Sequence, residues 1–199
     1  MNKIVIFPLL FFSATTSAEK MGGFGANYYD LSTLPSSFFV SKDTNQILTP
    51  DIVIGENFFV MEFSTLDDIA KLANTVVNNG EQAAWVCFRV KDINFWFASD
   101  NEMGGGNLTA IALSRDGKQK GCVAYEGDIS VAIKNTPLLT ASTQKLLSDF
   151  GKKEGDDLRE AELCNDTKNY GDFTQLNCLR YYINNKKVSG VVITQITAN

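Results

Sequence analysis

The residues of this chain that could do chemistry are its carboxylates and its cysteines. Asp67-Asp68, Glu154, Asp156-Asp157, Glu160 and Glu162 are clustered acids, and two convergent carboxylates are the working parts of a glycosidase. The first pair follows Ser64-Thr65 at the head of an apolar-periodic stretch, where a helix dipole favours acids. The others crowd a charged stretch that reads as a solvated loop. Histidine is absent, so no nucleophile can be paired with an imidazole. A Ser–Lys or Thr nucleophile stays open, but the elbow pattern G-x-S-x-G is missing. Spacing alone brings no acid–base pair together, and the expectation is a chain with no catalytic residues and no cofactor.

The most unusual short string is Glu102-Met103-Gly104-Gly105-Gly106-Asn107. Three glycines could cradle an anion with backbone N–H groups, yet no helix start and no Lys-Ser/Thr follow them. The string reads as a wide turn between an aromatic strand ending at Ala98 and a strand beginning at Leu108. Aromatic runs add a second candidate. Neighbours on a strand point to opposite faces, so Phe95 and Phe97 face one way and Trp96 the other, and Tyr181 and Tyr182 are split likewise. Either loops and the N-terminal arm cover the outward rings, or those rings meet a partner, as surface Trp and Tyr often do. The candidate binding residues are Trp96, Glu102, Met103, Gly104, Gly105 and Tyr182.

Four cysteines, Cys87, Cys122, Cys164 and Cys178, make an even set, which in an exported chain favours two disulfides. Cys87 and Cys122 fall in adjacent strand-like segments, and Cys164 and Cys178 flank one polar stretch, so the expected pairs are Cys87–Cys122 and Cys164–Cys178. Without a C-x-x-C spacing or a histidine, the set does not read as a metal site.

These residues must be positioned by a chain that begins like an export precursor. Lys3, an apolar run at 4–12 and the small-residue end Thr16-Ser17-Ala18 form a secretory signal pattern. The expected cut follows Ala18, leaving residues 19–199 as the mature part in the periplasm or outside the cell. The apolar run is too short to span a bilayer, which takes roughly 20 residues, and no other stretch reaches that length. Twenty-three acids against 18 bases give −5, and loss of Lys3 makes −6. Such a surface repels nucleic acid and anionic lipid.

Periodicity then sets the elements. An amphipathic helix is expected from Ser64 through Leu66, Ile69, Leu72, Ala73 and Val76, stopped at Gly80. Strands at 84–91 and 94–98 form one hairpin. Strands at 108–113 and 122–125 form another across Asp116-Gly117. A second helix begins at Thr140 or Ser142 and ends at Gly151. Residues 152–172 read as a surface loop, and strands at 178–183 and 188–196 close the chain. The expected fold class is α+β: amphipathic helices on an antiparallel sheet, in which sub-halves 51–134 and 135–199 either duplicate a helix-plus-hairpin plan or share it only because that order is common in α+β proteins.

The segment from Pro137 to Gly151 (PLLTASTQKLLSDFG), with Leu179-Arg180-Tyr181-Tyr182 and Asn185-Lys186-Lys187-Val188-Ser189-Gly190-Val191, resembles modules of bacterial envelope proteins. It is similar to β-lactamase-inhibitor-protein-like domains and to small outer-membrane-assembly lipoproteins. The resemblance covers about the last third of the chain; Asn185 stands where those modules carry Gly, and a long acidic stretch precedes the strands. It implies a binding module rather than an enzyme. The functional expectation is an exported, non-catalytic inhibitor or immunity-type protein whose partner is a protein of the cell envelope. The alternatives are an envelope scaffold or assembly factor and, behind it, a carboxylate hydrolase.

Overall fold

The computed structural model describes residues 20–199 except 29–34, 36, 116 and 118. The expected signal segment, Tyr29 and two residues of the Asp116–Lys118 turn therefore lie outside the described residues.

The protein is mostly β, with 46% strand and 11% helix. Twelve strands are β1 (Phe39–Asp43), β2 (Asp51–Ile54), β3 (Asn57–Phe59), β4 (Asn78–Asn79), β5 (Ala83–Val90), β6 (Ile93–Asp100), β7 (Ala110–Ser114), β8 (Val123–Ala124), β9 (Ile129–Ala132), β10 (Glu160–Tyr170), β11 (Phe173–Asn184) and β12 (Lys187–Ala198). A nine-stranded sheet runs β1-β10-β11-β12-β7-β6-β5-β4, with β8 beside β5, and a three-stranded sheet runs β3-β2-β9. Among the described residues the helices are a 3-10 turn (Gly23–Tyr28), α1 (Leu66–Lys71) and α2 (Thr143–Asp149).

This overturns the α+β expectation, and the reasons are local. In α1, Thr65 rather than Ser64 is the cap: its hydroxyl accepts from the Asp68 N–H at 3.2 Å. The helix ends at Lys71, and the turn after it closes at Asn74, whose φ of +46° is left-handed; the Thr75 N–H returns to the Ala70 carbonyl. Val76, expected on the helix face, is 74% exposed. Six residues cannot form the layer that a longer helix would. The expected loop at 152–172 is instead largely β10, which pairs with β11 from Glu160↔Tyr182 onward. Its acids disguised it. Ala161 and Leu163 alternate with Glu160 and Glu162, and both carboxylates are held by Arg180, at 3.8 and 2.8 Å. The hairpin expected between residues 108–113 and 122–125 does not form. β7 pairs with β6 and β12, whereas β8 lies parallel to β5. The pairing of β7 with β12 also merges the two sub-halves into one sheet, so no helix-plus-hairpin unit stands by itself.

Other readings agree with the structure. Ser142 caps α2, accepting from the Lys145 N–H, and Gly151 follows it at φ +67°. Asn185 and Lys186 close the β11–β12 hairpin with φ of +49° and +58°, the left-handed pair that a two-residue turn requires.

The middle strands are buried on both faces, which is why they read as continuous apolar runs. One face carries Val86, Phe88, Phe95, Phe97, Ile111 and Val191 into the main core with α1, α2 and the small sheet. The other carries Trp85 and Trp96 among Ala83, Ala98, Ala110 and Ala112, covered by Met21 and Phe24 of the N-terminal arm. The Phe24 ring sits on Gly190, where any Cβ would strike it, and Gly25 lies against the Trp96 indole in the same way.

Both expected disulfides are present. Cys87–Cys122 ties the 115–122 connection to β5, and Cys164–Cys178 joins directly opposed residues of β10 and β11.

Candidate binding surface

The six candidate residues separate into two groups. Trp96 is 2% exposed, packed 6.0 Å from the Phe24 ring. Tyr182 meets Phe24 edge-on at 5.1 Å and donates its hydroxyl to the Asn27 carbonyl at 3.3 Å. These two form the seat of the N-terminal arm. The expectation that Trp96 presses on a partner is thereby corrected: small alanines around it leave a trough that the arm fills.

Glu102, Met103, Gly104 and Gly105 lie in the β6–β7 connection, and its hydrogen bonds explain the glycines. The Asp100 carboxylate accepts from the N–H groups of Glu102 (2.8 Å) and Met103 (2.9 Å). The Gly104 N–H goes to the Asp100 carbonyl, and the Gly106 N–H goes to the Ser99 hydroxyl. Gly104 is packed so tightly on Ser99 and Asp100 that no side chain fits. Gly105 and Gly106 adopt φ of +55° and +92°, conformations that favour glycine. With those four amides donating inward, the loop is no anion cradle. It is a rigid turn that holds Glu102 and Met103 in water.

A second loop is laced to it. The Leu66 N–H donates to Gly106, Leu108 donates to Ser64, and Glu62 donates to Leu108. Glu62 itself sits at φ +66° and clamps the ends of β11 and β12. Its carboxylate accepts from Gln175 Nε2 (2.8 Å), Gln195 Nε2 (3.1 Å), Thr197 N (2.6 Å) and Thr197 Oγ1 (2.8 Å). The segment so fixed carries Val60 and Phe63, and Phe63 is 73% exposed. The sequence reading passed over both Glu62 and Phe63. The run Phe58-Phe59-Val60-Met61-Glu62-Phe63 looks like a strand, and nothing in it announces that its last ring faces solvent.

Glu154, Asp156 and Asp157 line a cleft of about 560 Å³ with Leu147, Leu158 and Lys186. Asp156 accepts from the Lys153 N–H, Asp157 is paired with Arg159, and both are exposed. Ser142 and Lys145 stand at an S-x-x-K spacing. Ser142 is spent as the α2 cap, and the Lys145 ammonium is paired with Asp149 at 3.1 Å. Glu162, Cys164 and Cys178 bring three ligand-type atoms within 4.8 Å, but both sulfurs are in the disulfide. Among the described residues no helix is long and apolar enough to cross a membrane. Comparison with family models, with curated proteins and with solved structures finds no match to this chain, so the resemblance of its last third to envelope modules rests on the residues quoted for it.

Proposed function

We propose that this chain is an exported, non-catalytic binding protein, an inhibitor or immunity-type partner that blocks an envelope-acting enzyme or toxin. The observation that carries this reading is the pair of laced loops that keeps Phe63 and Met103 exposed on a fixed frame. Burying a side chain of that size gains about 1.5–3 kcal/mol, so a frame that withholds it from the core has kept it for something else. Preordered loops also lower the entropic cost of association. Two disulfides suit an oxidising compartment, the periplasm or the exterior. The acids engaged in local caps and ion pairs favour binding over hydrolysis.

The test is capture from periplasmic extract with the mature chain, alongside Phe63→Ala and Met103→Ala. A single stoichiometric enzyme or toxin should be retained by wild type, lost by both variants, and inhibited by added wild-type protein. Retention of a partner whose activity is untouched would move the protein to the scaffold class. Equal retention by the variants would remove these loops from the binding face.

A further inference from the structure

Resting on that binding reading, we infer that the loop end of the large sheet is the docking face and that its occupant is a basic protein. At this end β6 finishes, β7 and β11 start, and β12 finishes. Eight large apolar side chains are exposed among the described residues, and five of them, Val60, Phe63, Met103, Phe173 and Leu176, fall here. Apolar surface gathered in this way marks an interaction site.

Charge identifies the occupant. Asp67, Glu81, Glu102, Asp166 and Asp172 are exposed around the same end. Of the lysines in this part of the chain, Lys71 is paired with Asp68 at 3.0 Å, and Lys168 is the other. The opposite end, where the β5–β6 and β11–β12 turns lie, carries exposed Lys91, Arg115, Lys120, Lys186 and Lys187 interspersed with exposed Asp92, Glu154, Asp156 and Asp157. The far end is therefore of mixed charge, whereas the apolar end carries an acidic rim. A second copy meeting face to face would bring two acidic rims together, and an anionic bilayer would be repelled. A surface with an apolar centre and a Lys/Arg rim complements it, and steers association as well as adding contact.

The experiment places a photo-cross-linking residue at Phe63, at Met103 and, as the far-end control, at Lys91, and irradiates each in periplasmic extract. Cross-linked peptides from positions 63 and 103 should map to one Lys/Arg-rich surface of one protein, with none from position 91. That protein, purified, is then titrated against wild type and Glu81→Lys/Glu102→Lys/Asp172→Lys. These sites are exposed, so the urea midpoint of the variant should match wild type. The triple reversal should slow association about tenfold at low salt, wild-type association should fall as NaCl is raised, and dissociation should be little changed. A partner captured at 63 and 103 whose association ignores both salt and charge reversal overturns the charge inference and leaves the binding reading intact. Adducts to a second copy, adducts to an acidic surface, or equal adducts from position 91 also overturn it. No adduct from either loop position overturns the inference and the binding reading together.

Discussion

Replacing Glu62 by alanine removes one carboxylate and leaves four donors without it: the side-chain amides of Gln175 and Gln195, and the N–H and hydroxyl of Thr197. Gln195 is 3% exposed, so its amide cannot turn to water without opening the end of the sheet. An orphaned buried donor costs about 1–3 kcal/mol, and a bond to a charged acceptor contributes about 1.5–3 kcal/mol. Glu62 is itself half-buried, so water can reach part of the vacated space. The expected loss for Glu62→Ala is about 3 kcal/mol. Glutamine keeps one acceptor but turns an amide donor toward existing donors, and should lose about 2 kcal/mol on the same grounds. The backbone supplies an internal check. At φ +66° a side chain costs about 1–2 kcal/mol that glycine does not incur, and glycine gives back about 0.5–1 kcal/mol through the unfolded chain. Glu62→Gly should therefore be more stable than Glu62→Ala by up to about 1 kcal/mol, although it carries less side chain. Urea unfolding of the oxidised protein, followed by circular dichroism and tryptophan fluorescence together, measures all three. A Glu62→Ala loss below about 0.5 kcal/mol, the level of an ordinary surface change, would refute the clamp. A glycine variant less stable than the alanine variant would refute the strain argument.

The remaining predictions are independent of that site. Converting Cys164 and Cys178 to alanine should cost about 3 kcal/mol, and converting Cys87 and Cys122 about 4 kcal/mol, because the second pair spans 35 residues against 14 and longer loops gain more from closure; denaturant unfolding of each double variant checks the order. Gly190→Ala drives a methyl group into the Phe24 ring and should cost about 1–3 kcal/mol, with Trp96 fluorescence shifted to the red. Adding Phe24→Ala should make the glycine substitution nearly neutral, and additive losses would show that the two do not meet. Burial, aided by the charge of Asp149, raises the Tyr181 phenol above its ordinary value, near 10, and its hydroxyl donates to the Pro137 carbonyl at 2.9 Å. The folded state thus holds this proton more tightly than the unfolded state. Its contribution is complete below pH 10 and is lost as pH rises above it. Wild type should exceed Tyr181→Phe by about 1 kcal/mol at neutral pH, and the gap should close in unfolding titrations at higher pH.

Much of the local structure was legible in the sequence because its causes are local. Ser142 caps α2 through the nearby Lys145 N–H. Asn185-Lys186 can turn a hairpin because the twist of the strands asks for left-handed residues there. The alternation of Phe95, Trp96 and Phe97 follows from the strand period, and the structure places the phenylalanines in one core and the tryptophan in the other. The two disulfides join the expected pairs, Cys87–Cys122 from adjacent strand-like segments and Cys164–Cys178 from the one polar stretch that both flank.

What tertiary structure alone decided is who pairs with whom and what is covered. Nothing in residues 110–114 says that their second neighbour is β12, more than seventy residues on, rather than the segment after the next turn. That choice merged the halves and made the protein mostly β. Glu160 and Glu162 look like loop residues until Arg180, on the adjacent strand, answers their charge. Trp96 looks like an interface anchor until an arm seventy residues upstream lies across it. Phe63 looks like core until Glu62, held by β11 and β12, turns its neighbour outward. Residue type and spacing encode what a few neighbouring bonds can satisfy. Burial and charge compensation across the sheet depend on groups distant in the chain, and these set both the fold class and the face we propose for binding.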